Sequence, residues 1–281
     1  MAKILIVGAG DVGGRLACLL ATQQHEVYAL RRQPVPLAGV QLISADVTQA
    51  ETLTALPKGL DIVVFALSAG AGGEEAYQRV YLEGTRNVLT ALQDQSLQHV
   101  FWLSSTGVYG ECQGEWIDES TPAQPATATG KVLLAAERCV QSFSWPSTMV
   151  RLGGLYGPGR HRLLRWVEAG KAVQIIPPSW SNRIHVADAA GFLAHLCARV
   201  ITGQPLLPLY LAVDDAPTPQ AEVLTWLAEQ MQLPAPPALT VDAPTQGKRI
   251  RNQGLRETGY QFMFPDYRAG YTQVLQLAKG A

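Results

Sequence analysis

Gly8, Gly10 and Gly13 stand in G-x-G-x-x-G spacing near the start of the chain. Glycines so spaced prepare a phosphate site by what they lack. Gly8 lets the chain turn off a strand, Gly10 leaves no side chain between backbone and pyrophosphate, and Gly13 lets a helix lie close to that strand. Asp11 and Val12 fall at the helix start, where open N–H groups and the positive end of the helix dipole suit phosphate. The next strand ends in Arg31 and Arg32. An acid there would accept hydrogen bonds from the free 2′-hydroxyl of NAD, whereas a guanidinium forks onto the 2′-phosphate of NADP. These residues favour NADP(H) over NAD(H); the other reading is two solvated surface arginines. Asp46, with Val47, follows the third apolar strand, and it is either an adenine-side residue or a plain turn aspartate. Ala66 and Leu67 end the fourth apolar strand, and the small-residue loop Ser68–Gly73 that follows would pass over the same ligand; the other reading is an ordinary flexible loop.

Strands and helices must alternate to place these residues. Ile4–Val7, Glu26–Leu30, Val40–Ser44, Asp61–Leu67, His99–Leu103 and Thr148–Leu152 read as strands, because they are short apolar or alternating runs. Helices are predicted after Gly13, over Glu74–Asp94 and over Ala128–Phe143, and 111–125 reads as loop. That alternation implies an α/β fold, a Rossmann-type doubly wound parallel sheet with helices on both faces. Beyond Gly153 the predicted elements are helices His161–Ala169, Ala189–Arg199 and Pro219–Gln230, a strand at Leu209–Val213 and a proline-rich surface crossing at Leu233–Pro244. The expected division is a dinucleotide-binding domain over 1–153, with 184–213 returning to it, and a smaller C-terminal substrate lobe from 154–183 and 214–281.

Composition narrows the function classes. The 281 residues are 47% hydrophobic and 16% charged, with a net charge of -1. That balance gives no basic face for nucleic acid, and no apolar run is long enough to span a membrane. The chain enters a strand at once, which predicts no signal peptide. Cys18, Cys112, Cys139 and Cys197 are far apart, so neither a metal site nor a disulfide framework is expected, and the cytoplasm is the expected compartment.

Four stretches resemble the extended short-chain dehydrogenase/reductase family, the group that includes NAD-dependent epimerases and dehydratases. Ser104-Ser-Thr-Gly-Val-Tyr-Gly110 is similar to its active-site serine segment, and Arg151-Leu-Gly-Gly-Leu-Tyr-Gly-Pro-Gly159 to its R-x-x-x-x-Y-G-P stretch. Arg183-Ile-His-Val-Ala-Asp188 is similar to its I-H-V-x-D segment, and Tyr81 to Val88 to N-x-x-G-T-x-N without the first Asn. The glycine turn, the Gly157-Pro-Gly-Arg-His161 run and the tail around Asn252 and Gly259-Tyr260 bring the chain nearest to the atypical, YeeZ-like branch.

The resemblance implies a Ser–Tyr–Lys site, in which a phenol is the proton donor or acceptor, the lysine lowers its pKa and holds the nicotinamide ribose, and the serine binds the substrate oxygen. Ser105 matches the serine and Lys131 the lysine, but the tyrosine position holds Thr127. A phenol starts near pKa ~10 and can be tuned toward neutrality; an aliphatic hydroxyl is a far weaker acid. Tyr109, Tyr156 and His185 lie on segments that the resemblance brings toward the pocket; His185 and Tyr109 read equally as packing residues. Cys112 lacks an accompanying base. Arg160 and Arg162 either meet an anionic substrate or start a solvated helix. The implied activity is an NADP(H)-binding oxidoreductase or epimerase/dehydratase-like enzyme acting on a small or nucleotide-linked carbonyl or hydroxyl. The alternative is a catalytically inactive NADP(H)-binding redox sensor or partner-binding protein. Helices Glu74–Asp94 and Ala128–Phe143 correspond to those that pair in many homodimeric relatives.

Overall fold

The computed structural model describes residues 1–33, 35–70, 72–110 and 112–279. Ala71, in the small-residue loop, and Glu111, at the start of the expected loop 111–125, lie outside them. In chain order the first elements are β1 (Lys3–Val7), α1 (Asp11–Thr22), β2 (Glu26–Arg31), β3 (Val40–Ser44), β4 (Ile62–Phe65), α2 (Gly73–Tyr77), α3 (Gly84–Ala91), β5 (His99–Ser105), β6 (Gln113–Ile117), α4 (Ala128–Gln141) and β7 (Ser147–Leu152). There follow β8 (Gly154–Tyr156), α5 (Arg162–Glu168), β9 (Val173–Ile176), β10 (Trp180–Ser181), β11 (Arg183–His185), α6 (Val186–Ile201), β12 (Leu209–Ala212) and β13 (Thr218–Pro219). The last are α7 (Gln220–Met231), β14 (Ala238–Thr240), β15 (Gly247–Ile250), α8 (Gln253–Glu257) and α9 (Tyr267–Lys279).

A seven-stranded sheet runs in the order β12-β7-β5-β4-β1-β2-β3. The ladders from β3 through β5 are parallel. Central strands covered on both faces need unbroken apolar runs. β4 supplies Ile-Val-Val-Phe, all buried, while the edge strand β3 is only half-buried. The chain winds outward one way through β2 and β3, then returns to the other side of β1 with β4. The switch point therefore lies between β1 and β4, where ligands of open α/β sheets bind.

The chain divides into two compact units. The first comprises Met1–Gly110, Ala123–Arg151 and Ala189–Tyr210, and the second Glu111–Pro122, Leu152–Asp188 and Leu211–Ala281. The second unit has its own core, in which Leu163, Leu164 and Val167 of α5 pack with Val223, Leu224 and Leu227 of α7 and Tyr267, Tyr271 and Val274 of α9. Among the described residues no helix is long and apolar enough to cross a membrane, and all four cysteines are thiols.

Three expected elements differ. The long helix Glu74–Asp94 is interrupted by a π-helical segment, Gln78–Glu83, and ends at Ala91. The stretch 111–125 is not all loop, since β6 pairs in parallel with β15. The surface crossing contains β14, which pairs with β9. Both pairings join segments far apart in sequence, and neither strand has an apolar alternation of its own to announce it.

Candidate functional site

A cleft of about 450 Å³ opens at the switch point. Its walls are Gly8, Ala9 and Gly10 from the first turn, Leu30, Arg31, Arg32 and Gln33 from the end of β2, Ala45, Asp46 and Val47 after β3, Ala66, Leu67 and Ser68 after β4, and Val80. Each glycine has a distinct geometric reason. Gly8 has φ +96°, and a Cβ there would stand 2.6 Å from Ala66 O. At Gly13 a Cβ would overlap the Gly8 carbonyl oxygen. At Gly10 a Cβ would meet no protein atom within 4 Å. The protein alone thus accounts for Gly8 and Gly13, but not for Gly10, which caps α1 and faces the cleft.

Arg31 is half-buried, and its Nη1 donates to Ala9 O at 3.2 Å. Arg32 is exposed. Asp46 accepts from the Thr48 N–H at 2.9 Å and from its hydroxyl at 2.8 Å, so it is a turn aspartate that also lines the cleft. Asp11, Val12 and Gly13 are not among the lining residues. Asp11 pairs with Arg15 at 2.9 Å, and Val12 is buried.

The expected chemical residues of the first unit gather where β5 ends and α4 begins. Ser105 closes β5, and its Oγ accepts from the Gly107 N–H at 3.1 Å, which starts the 3₁₀ turn Thr106–Tyr109. The hydroxyl proton is left to donate elsewhere. Gly107 O lies 3.3 Å from where a Cβ of Gly130 would stand, which brings this turn against the first turn of α4. Thr127 is the N-cap of α4, and its Oγ1 accepts from the Gly130 N–H at 3.1 Å. Lys131 is exposed one turn along, with its N–H bonded to Thr127 O at 3.0 Å.

Tyr109 is only 5% exposed and lies under the Arg151 guanidinium, 4.8 Å from its ring centre. Arg151 in turn forks onto Glu137, Nε to Oε1 at 3.0 Å and Nη2 to Oε2 at 2.6 Å. Ser104 also donates to Glu137. Tyr109 is thus packed against a buried polar network.

In the second unit, Tyr156 and His185 are almost fully buried, with ring centres 5.2 Å apart. His185 also packs on Phe264 at 4.0 Å, and its Nδ1 accepts from the Ala187 N–H at 3.2 Å. The Tyr156 hydroxyl donates to Asp266 O, and burial, then Asp214, push its pKa far up. Tyr156 is part of the second core, and His185 packs against it. Arg160 is half-buried in the turn closed by its N–H to Gly157 O at 3.0 Å. Burial pushes the Cys112 thiol up, the wrong direction for a nucleophile.

A family model described as NAD(P)H-binding matches residues 8–198. The chain belongs to the NAD(P)H-binding family. Protein YeeZ of Escherichia coli is 31% identical over 172 residues, 57% of this chain, and the match spans 61% of that relative. A structure from Methylobacillus flagellatus, described as a candidate NAD-dependent epimerase/dehydratase, is 39% identical, covers 99% of both chains and superposes with a TM-score of 0.84. WbmG of Bordetella bronchiseptica, solved with NAD and UDP, is 20% identical over 99% of this chain and 94% of its own, with a TM-score of 0.80, a likeness of fold alone. With these relatives the chain stands among the atypical short-chain dehydrogenases/reductases.

For a member of the NAD(P)H-binding family, the least legible part is the Glu137–Arg151 pair. A signal existed, because Glu137 falls four residues after Leu133 and three before Val140, on the apolar stripe of α4. An acid on such a stripe needs a buried partner. Val80, from the π-helical segment, was equally unexpected in the cleft wall.

Proposed function

We propose that the protein is an NADP(H)-dependent oxidoreductase or epimerase/dehydratase-like enzyme acting on a small or nucleotide-linked carbonyl or hydroxyl substrate. The observation that carries this reading is the empty space at Gly10, a glycine that the surrounding protein does not require, at the mouth of a cleft that also holds Arg31 and Arg32. Gly8 and Gly10 hold the pyrophosphate in this reading, with the N-terminus of α1 behind it. Arg32 meets the 2′-phosphate, while Arg31 is held in place by Ala9 O. Val47 and Asp46 border the adenine, and Ala66, Leu67 and Ser68 follow the ribose and phosphates. Bound NADP(H) supplies hydride chemistry; Ser105 offers a hydroxyl proton to the substrate oxygen, and Lys131 holds the ribose. Of the substrate-side candidates, Arg160 retains exposure, and a homodimer through α4 and the α2–α3 helical run is part of the same proposal.

Thr127 favours a second reading, a non-catalytic NADP(H) sensor, because its oxygen is already engaged as a helix cap. A tryptophan-quenching titration with NADPH and NADH tests the cofactor reading. NADPH is expected to bind at least about tenfold more tightly, a difference of ~1.4 kcal/mol, and Arg32→Ala to erase most of that margin. Equal affinities would remove the NADP preference. Turnover of any carbonyl substrate, abolished by Ser105→Ala, would remove the sensor.

A further inference from the structure

We propose that Arg249 and Arg251 of the second unit, with the indoles of Trp116 and Trp180, form a binding site for an oxyanion, a phosphate or a carboxylate group. β15 lies beside β6 with Arg249 directly opposite Trp116. The Arg249 guanidinium lies over two rings, 5.0 Å from the centre of Trp116 and 5.0 Å from that of Trp180. Its Nε donates to Gly114 O at 2.7 Å, which fixes the plane of the fork. Arg251 also lies over Trp116, at 5.5 Å. Two glycines clear the space for Trp180. Gly114 has φ +85°, and a Cβ there would stand 3.3 Å from Trp180 Cδ1 and Nε1; at Gly247, with φ +74°, a Cβ would overlap the Trp180 carbonyl oxygen. The Trp180 N–H is tied to Gln246 O at 2.8 Å, just before β15.

A guanidinium is all donor and no acceptor. Arg249 spends Nε on Gly114, while its Nη groups meet no acceptor among the described residues and are not shut away from solvent. The indole N–H groups of Trp116 and Trp180 are likewise uncommitted among the described residues. Of the six tryptophans only Trp116 is exposed, at 46%, so the cluster opens to water. Its uncommitted groups are thus all donors, and both arginines add positive charge. The acids of the same stretch are engaged elsewhere. Glu115 accepts from the Gln113 N–H, and Glu119 from the Leu211 N–H. Asp118 lies within the field of Arg251, but its Oδ1 is held by the N–H and hydroxyl of Ser120. A planar fork with two free ends matches the paired oxygens of a phosphate or carboxylate. Two rings and one hydrogen bond hold that fork in place, so little side-chain freedom remains to be lost on binding.

The test follows the indole N–H resonances of the full-length protein labelled with ¹⁵N-tryptophan. It is titrated at constant ionic strength with inorganic pyrophosphate and, in a second series, with citrate. The resonance missing from Trp116→Phe identifies that ring. A saturable shift of this resonance is expected, and the anion that binds more tightly names the class. Arg249→Lys keeps the charge and loses the fork, and is expected to weaken binding at least about tenfold. Arg251→Gln, an exposed change that leaves β15 intact, is expected to weaken it about threefold, and it decides the matter if Arg249→Lys does not fold. A shift that never saturates with either anion, or unchanged affinity in the folded variants, overturns the site. Saturation that Arg32→Ala weakens and the β15 variants do not puts the anion in the cleft of the first unit; that overturns this site and leaves the nucleotide reading standing.

Discussion

In the first unit the buried Glu137 carboxylate takes both arms of the Arg151 fork and a hydroxyl from Ser104. In the second unit, Arg183 and Asp214 are buried just as deeply, yet Arg183 Nη1 and Asp214 Oδ2 have no hydrogen-bond partner among the described residues. Burial therefore pushes the Asp214 carboxyl up to about 7, against the opposing pull of Arg183. A buried charge is tolerable when every lone pair and proton is matched, and it costs stability when one is not. The paired network lies beside Ser105, where a rigid frame serves positioning. The unmatched pair lies in the unit whose core packs the rings of Tyr156, Tyr267 and Tyr271 among leucines and valines.

The largest effect should come from breaking the matched pair. Glu137→Gln leaves Arg151 buried and without its counter-charge, and is expected to cost roughly 3–5 kcal/mol in urea unfolding. A loss below about 1 kcal/mol would mean that water reaches the pair.

Asp214→Asn should act in the opposite direction. A carboxyl whose pKa is higher in the folded than in the unfolded chain binds more protons when folded, so its contribution falls as pH climbs from about 4 to about 7 and is flat above that. The variant is expected to gain on the order of a few kcal/mol at pH 8, with the gain vanishing near pH 4; a melting series across pH reads this. His99 of the first unit runs the other way, because burial lowers its pKa to about 4 and stability is lost as pH falls from 6.5 toward that value. Parallel pH slopes in the parent and Asp214→Asn would remove the contrast between the two units.

The smallest effect belongs to Thr127. Thr127→Val removes the cap of α4 and should cost about 1 kcal/mol, with Thr127→Ser close to neutral. A cost near zero would leave the Thr127 hydroxyl available for chemistry.

The parts of the fold legible in the sequence are those written in local pattern. β1 and β4 announce themselves as apolar runs, and the glycine turn between β1 and α1 has a spacing that a phosphate site explains. Arg31 and Arg32 were legible because strand ends are predictable from the runs before them. The rest depends on partners far away in sequence. Gln113–Ile117 is too polar to read as a strand until β15 lies beside it. The π-turn changes helical register by one residue and leaves no compositional mark, so the place of Val80 in the cleft wall could not be inferred. Thr127 was visible as a departure, but its capping bond to Gly130 belongs to the backbone geometry of α4.

The pairing of β6 with β15 also has a consequence during synthesis. The two strands are separated by about 130 residues, and ribosomes add roughly 5–20 residues per second. β6 therefore leaves the ribosome several seconds to tens of seconds before its partner exists. Over that interval the strand carrying Trp116 waits with its ladder edge open, while the remaining segments of the first unit, Ala123–Arg151 and Ala189–Tyr210, are made and complete that unit. Nascent chains stalled before Gly247 should accordingly expose β6 to protease and chaperone, and chains released after Ile250 should not.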